Sequence, residues 1–275
     1  MEEQTSMRSV PIIIIVLILV VGGIWFLVDR LDTPAEEIKE VNNSDMLESA
    51  NRLAIMERDV NFEDGRKEFF AEPLDVGAYP GVVMIHEWWG LTKEVKDMAR
   101  ELAGQGYKVL AVDLYNGKVA TSTADAQKYR AARTPEETTK VLREAVAFLK
   151  AEGAIKVASL GWCYGGGKSL ELALSGEPLD ATVIYYGQLS TDPEKLSALK
   201  WPVLGIFGGK DQSISTSTVR EFDAALDRLG IENEIYVYPE VGHAFANPSG
   251  MNYAPAETKD AWAKTLTFLE QSLKR

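Results

Sequence analysis

The stretch Gly161-Trp162-Cys163-Tyr164-Gly165-Gly166-Gly167, which holds the only cysteine, constrains the fold more than any other part of the chain. It follows the apolar run Lys156 to Leu160, which reads as a short buried strand. It precedes Lys168 to Leu174, a helix-forming segment. Strand, tight turn and helix form the context in which a G-x-S-x-G sequence becomes a nucleophile elbow, here with cysteine in place of serine. A sharp strand-to-helix turn demands unusual backbone angles and close backbone approach, and glycine permits both. The turn lifts the sulfur out of the sheet to a helix N-terminus, where the dipole favours thiolate. A free cysteine is more often a buried core residue. A core cysteine, however, has no need of glycines on both sides.

The rest of the chain alternates strand and helix from about residue 59. Val82 to Ile85 reads as a buried strand, and Val109 to Val112, Ala181 to Tyr186, Val203 to Phe207 and Glu234 to Tyr238 read as further strands. Helices are expected over Lys93 to Ala103, 123–132, 135–151, Thr218 to Leu229 and Glu257 to Leu273. Thr134 is placed to cap the helix that Pro135 opens. Repeated βα units with apolar strands imply a mostly parallel sheet covered on both faces, the α/β-hydrolase type of architecture.

Ahead of this lies Val10 to Val28, nineteen residues without a charge. At helical rise they span roughly 28 Å, close to the hydrocarbon thickness of a bilayer. The run is long for a signal peptide and ends in bulky Trp25, Phe26 and Leu27, so it reads as one retained transmembrane helix. Arg8 and the terminal amine on one side balance Arg30 and Lys39 on the other. The short N-terminal tail then makes an extracytoplasmic catalytic domain the default. Residues 29–58 carry eight acidic and four basic side chains and read as an acidic spacer. Met46, Ala50, Leu53 and Ala54 recur there at helical spacing. The expected order is thus a tail at 1–9, an anchor at 10–28, a spacer at 29–58 and one domain at 59–275.

Composition narrows the function classes. A net charge of −12 without a basic cluster argues against nucleic acid. One cysteine excludes an internal disulfide and a Cys/His zinc set. His86-Glu87-Trp88-Trp89-Gly90 begins like a zincin helix, but Gly90 stands where the second histidine belongs, so no metal is expected.

A cysteine nucleophile needs a base, and the base needs an acid to orient it. Only two histidines are present, and His243 follows the last apolar strand. Asp211 follows the strand Val203 to Phe207. Cys163, Asp211, His243 is the chain order of α/β hydrolases, and each residue follows a strand, so all three can meet at one sheet edge. The backbone amide after the nucleophile, at Tyr164, is the expected oxyanion donor. The second is Trp88, in the turn after Val82 to Ile85, where Glu87 should point into the same cleft. His86 reads as structural or as a pocket wall.

Gly-x-Cys-x-Gly-Gly at 161–166, Gly-Gly-x-Asp at 208–211 and Gly-His-x-Phe at 242–245 resemble the dienelactone hydrolase family. So do Glu87 in its turn and Asp113-Leu114-Tyr115 after the next strand. The resemblance covers about 59–275. It implies a Cys163–His243–Asp211 triad, with Glu87 helping to hold or generate the thiolate. It also implies ester or lactone hydrolysis through a thioester, without a cofactor. Members acting on dienelactone hold its carboxylate with arginines, one of them four residues after the histidine. Asn247 stands there in this chain, which implies a preference for neutral esters.

The expectation is therefore a membrane-anchored cysteine hydrolase of small esters or lactones, with the membrane as its other contact. Two rivals are a non-catalytic, membrane-tethered binding module on the same fold and a thioesterase or acyltransferase using the same triad. The module predicts a degenerate triad member, and none is degenerate.

Overall fold

A computed structural model describes residues 52–275. Eight strands form one sheet in the order β1-β2-β4-β3-β5-β6-β7-β8. In chain order these are β1 (Ile55–Asn61), β2 (Lys67–Pro73), β3 (Gly81–Ile85), β4 (Lys108–Val112), β5 (Val157–Trp162), β6 (Ala181–Tyr185), β7 (Val203–Gly208) and β8 (Asn233–Tyr238). β1 and β2 run antiparallel, and β3 to β8 are parallel. Among the described residues seven helices connect or close the units: α1 (Lys93–Gly104), α2 (Thr123–Ala131), α3 (Pro135–Ala151), α4 (Tyr164–Leu174), α5 (Pro193–Leu196), α6 (Thr216–Arg228) and α7 (Pro255–Leu273).

Strand alternation sorts the core into two layers. Val83 and Ile85 face one way and pack with Val146 and Leu149 of α3, while Phe222 and Leu226 of α6 lie in the same layer. Val82 and Met84 face the other way and share a layer with Leu102 of α1 and Phe268 of α7. Every residue of β3, β5, β6 and β7 is buried. That is why these strands read as continuous apolar runs rather than alternating ones. Thr134 caps α3 in a full capping box with Glu137, and Pro135 occupies the first turn.

The structure departs from the sequence reading at its N-terminal end, and it adds β2 and the short α5, which the sequence reading does not contain. β1 opens at Ile55, inside the 29–58 stretch read as spacer, and the compact unit spans Asn51–Arg275. Leu53 and Ala54 precede β1 in non-helical chain, so they do not belong to a helix. β1 is an edge strand that carries Glu57, Arg58 and Asp59 and buries none of its residues fully. It therefore shows no apolar pattern, and pairing with β2 along its whole length defines it. The candidate anchor at Val10 to Val28, with the tail before it and most of the spacer after it, lies outside the described residues. Among the described residues no helix is long and apolar enough to cross a membrane.

The consequence for function is positional. The chain leaves the carboxyl ends of β3, β5, β6, β7 and β8 on one side of the sheet, and Glu87, Cys163, Tyr186, Asp211 and His243 all lie just beyond those ends. Such an edge is where open parallel sheets gather their ligand-binding loops.

Candidate active site

Cys163 links β5 to α4 with φ 52° and ψ −112°. This is a strained geometry for a residue with a Cβ, and strain of this kind concentrates at functional sites. The glycines around it are not the residues with positive φ. They supply room. A Cβ on Gly161 would sit 2.1 Å from the Gly165 carbonyl oxygen, and one on Gly165 would sit 2.2 Å from that of Ile85. The elbow thus divides its two demands: cysteine takes the unusual torsion, and glycine lets β5, α4 and the end of β3 touch.

The three predicted triad members come together. His243 Nε2 lies 3.1 Å from Cys163 Sγ, and His243 Nδ1 lies 2.7 Å from Asp211 Oδ2. The other Asp211 oxygen accepts the Ser213 and Ile214 amides at 2.7 and 3.0 Å. Its side chain has no exposed area, whereas 27% of His243's is exposed. Burial alone would raise the Asp211 pKa, but the His243 hydrogen bond and the two amides outweigh it and hold the carboxyl below its ordinary range. Burial likewise opposes charge on His243. Its bonds to Asp211 and Cys163 reverse that and push its pKa up to about 10.

Glu87 does enter the cleft, but it does not meet the thiol. Tyr186 donates its hydroxyl to one carboxylate oxygen at 3.2 Å, and the Asn247 amide donates to the other. Burial raises the Glu87 pKa, and these two bonds and the His243 charge offset it only in part. Asn247 is itself fixed, since its side-chain oxygen accepts the Ser249 amide and hydroxyl at 2.9 Å each.

The Trp88 and Tyr164 amides, expected to stabilise an oxyanion, donate to no other protein group among the described residues. His86 is fully buried. Its Nδ1 donates to the Glu87 carbonyl, and its Nε2 accepts the Leu114 amide at 3.1 Å. Burial holds its pKa down, so it is a neutral strut between the ends of β3 and β4. Tyr186 was missed from sequence. Its ring stands edge-on to His243 with centroids 5.3 Å apart, and its hydroxyl reaches Glu87. In sequence it closes the apolar run Ala181 to Tyr186, whereas β6 ends at Tyr185 and leaves it just beyond the sheet edge.

Comparison with known proteins gives the family. The dienelactone hydrolase family model matches residues 67–273. The chain belongs to the dienelactone hydrolase family. Among relatives, a protein of Methylorubrum extorquens provisionally named carboxymethylenebutenolidase is 31% identical over 240 residues, covering 81% of this chain and 82% of the relative. A Saccharolobus solfataricus protein with the same provisional name is 28% identical over 258 residues, 78% of this chain and 99% of the other. Among solved structures, a provisionally named dienelactone hydrolase of Klebsiella pneumoniae superposes with a TM-score of 0.72 at 26% identity, covering 79% of this chain and 99% of that one. As a member of this family the chain has the α/β-hydrolase fold and is a carboxylic ester hydrolase of dienelactone hydrolase type.

Proposed function

We propose that this dienelactone hydrolase family member cleaves small neutral esters or lactones with Cys163 as nucleophile, His243 as proton carrier and Asp211 as its orienting acid. The observation carrying the reading is the unbroken line Asp211–His243–Cys163, at 2.7 and 3.1 Å. Those are the contacts a nucleophile, base and orienting group require. In the first half-reaction the thiolate attacks the ester carbonyl. The carbonyl oxygen becomes an oxyanion facing the Trp88 and Tyr164 amides. The imidazolium then gives its proton to the departing alkoxide, leaving a thioester on Cys163. In a lactone the alkoxide stays attached to the acyl group. Water, deprotonated by His243, attacks the thioester and restores the thiolate. One oxyanion donor typically lowers the barrier by about 2.7–4 kcal/mol.

Glu87 is a positioning group on this reading. Tied to Tyr186 and Asn247, it sets the cleft wall beside His243 rather than taking the thiol's proton. Asn247 also bears on substrate choice. A bidentate arginine would hold a carboxylate, and an asparagine already engaged with Glu87 and Ser249 does not replace it. Charge-assisted bonds are worth roughly 1.5–3 kcal/mol each, so their loss would lower affinity for a carboxylated dienelactone tenfold or more.

We further propose that Val10 to Val28 tethers the enzyme to a membrane as a single pass, with the catalytic domain on the extracytoplasmic side. Removing residues 1–30 should then give an enzyme that leaves the membrane fraction and stays active. Inactivity or aggregation of that protein contradicts the anchor. Hydrolysis of an ester, lactone and thioester panel by residues 51–275, with Cys163→Ala as control, tests the reaction. Starting at 51 keeps β1 whole, which a start at 59 would not.

A further inference from the structure

A cavity of about 390 Å³ opens beside the triad. Cys163 and His243 do not line it. Trp162, Tyr186 and Glu87 do: Trp162 precedes Cys163 in the chain, and Tyr186 packs edge-on to His243 and donates to Glu87. Its other walls are largely apolar, with Trp89, Met98 and Met251 prominent. A pocket of this size takes the non-reacting part of a small substrate.

Its charge is one-sided. Glu87 and Glu94 line it, and no lysine, arginine or histidine does so among the described residues. Glu94 opens α1 and is exposed at the wall; a bond from Thr92 leads the influences that hold its carboxyl below the ordinary range. The basic side chains nearby are engaged with other groups, although the Lys93 charge does act on Glu94. Lys93 is paired with Asp97. Arg130 and Lys168 lie over the Tyr164 ring, each 5.4 Å from its centroid, and Lys168 is paired with Glu171. The triad does not supply the missing positive charge. Cys163, His243 and Asp211 sum to one negative charge whether the shared proton sits on sulfur or on imidazole. Trp89, Trp162 and Tyr186 add aromatic walls, which attract organic cations through the negative face of the ring. The net charge of −12 acts in the same direction at long range.

We propose that this cavity selects substrate by charge. It takes an apolar group bearing an ammonium head in preference to its neutral isostere, and it rejects a carboxylate. The selection rests on the hydrolase reading for its meaning as substrate choice, but the field around the thiol exists without turnover.

Two measurements separate the two claims. The first compares kcat/KM for three aryl-ester types ending in trimethylammonium, its isostere tert-butyl, or carboxylate, with the group on the acyl side in one set and on the alcohol side in another. In at least one set kcat/KM should fall in that order by tenfold or more overall. Glu94→Gln should shrink the ammonium-to-carboxylate ratio at least threefold, and Glu94→Lys should bring it to one or below. The second labels Cys163 with a cationic and an anionic methanethiosulfonate, each forming a mixed disulfide and releasing methanesulfinate. The rate ratio should exceed that of a small free thiol several-fold and should drop in Glu94→Gln. Turnover with no charge order, or with the carboxylate ahead, overturns the proposal and leaves the hydrolase reading standing. No turnover with a Glu94-dependent labelling ratio upholds the charge selection and overturns the hydrolase reading. A labelling ratio equal to that of the free thiol overturns the charge selection in either case.

Discussion

Two carboxylates stand at the same sheet edge, and their surroundings push them in opposite directions. Asp211 is buried, yet two backbone amides and the His243 imidazole stabilise its charge and hold its pKa down. Glu87 is set against the cavity wall with only the neutral donors Tyr186 and Asn247, and burial wins and raises its pKa. Desolvation opposes charge on both and weighs more on Glu87, and only Asp211 has partners strong enough to outweigh it. Environments that separate the pKa values of two acids also separate their roles. An Asp211 that keeps its charge to lower pH than an ordinary carboxyl is suited to orient an imidazolium. A more easily protonated Glu87 is suited to shape a cleft, and its place away from the thiol agrees.

The largest effect expected is at the nucleophile. Cys163→Ala should abolish ester turnover and leave the thermal midpoint nearly unchanged, because the sulfur is only partly buried. Kinetics on the purified variant, with a melting curve, checks both halves. A large fall in the midpoint would mean that the cysteine is a packing residue.

The comparison itself is broken or kept by neutralising each acid in turn. Asp211→Asn should lower kcat on the order of 10⁴-fold, as loss of the orienting charge does in other triads. Glu87→Gln keeps hydrogen-bonding capacity toward Tyr186 and Asn247, and kcat should fall less than tenfold. Equal losses in the two variants would show that the acids do not differ in role.

A third test reads the imidazole. Burial opposes its charge, and Asp211 and Cys163 each support it, by hydrogen bond and by charge. The His243 ring should therefore titrate at lower pH in Cys163→Ala than in the wild type, by proton NMR. An unchanged midpoint would mean that sulfur and imidazole are not coupled. Stability follows with a smaller amplitude. The folded pKa of His243 is raised from 6.5 to about 10, so its contribution is complete below pH 6.5 and is lost as pH rises through about 10. Denaturation midpoints across that window should fall less in His243→Gln than in the wild type.

Much of this was legible in the sequence, for physical reasons that differ along the chain. The central strands are buried on both faces, so β3 and β5 to β7 announce themselves as apolar runs. The elbow is legible because close approach at Gly161 and Gly165 tolerates no side chain. Asp211 could be chosen because it follows β7, and His243 because it follows β8, whose Ile235, Tyr236, Val237 and Tyr238 still read as apolar although none is fully buried. β1 was not legible, since an edge strand covered by charges carries no periodic apolar signal. Neither was the Glu87–Asn247 bond, which joins residues 160 positions apart. Without that bond the sequence suggests Glu87 as an aid to the thiolate and Asn247 only as a missing arginine. Tyr186 lay hidden as the last apolar residue of its run.

The central claim is that the acyl group passes through Cys163. Mass spectrometry of the enzyme quenched in acid during turnover of an aryl ester tests it most directly. The account requires the peptide containing Cys163 to gain the mass of the acyl group, with the adduct absent from Cys163→Ala and accumulating when His243→Gln slows its hydrolysis. Steady turnover with no adduct on that peptide, or turnover that survives in Cys163→Ala, would contradict it.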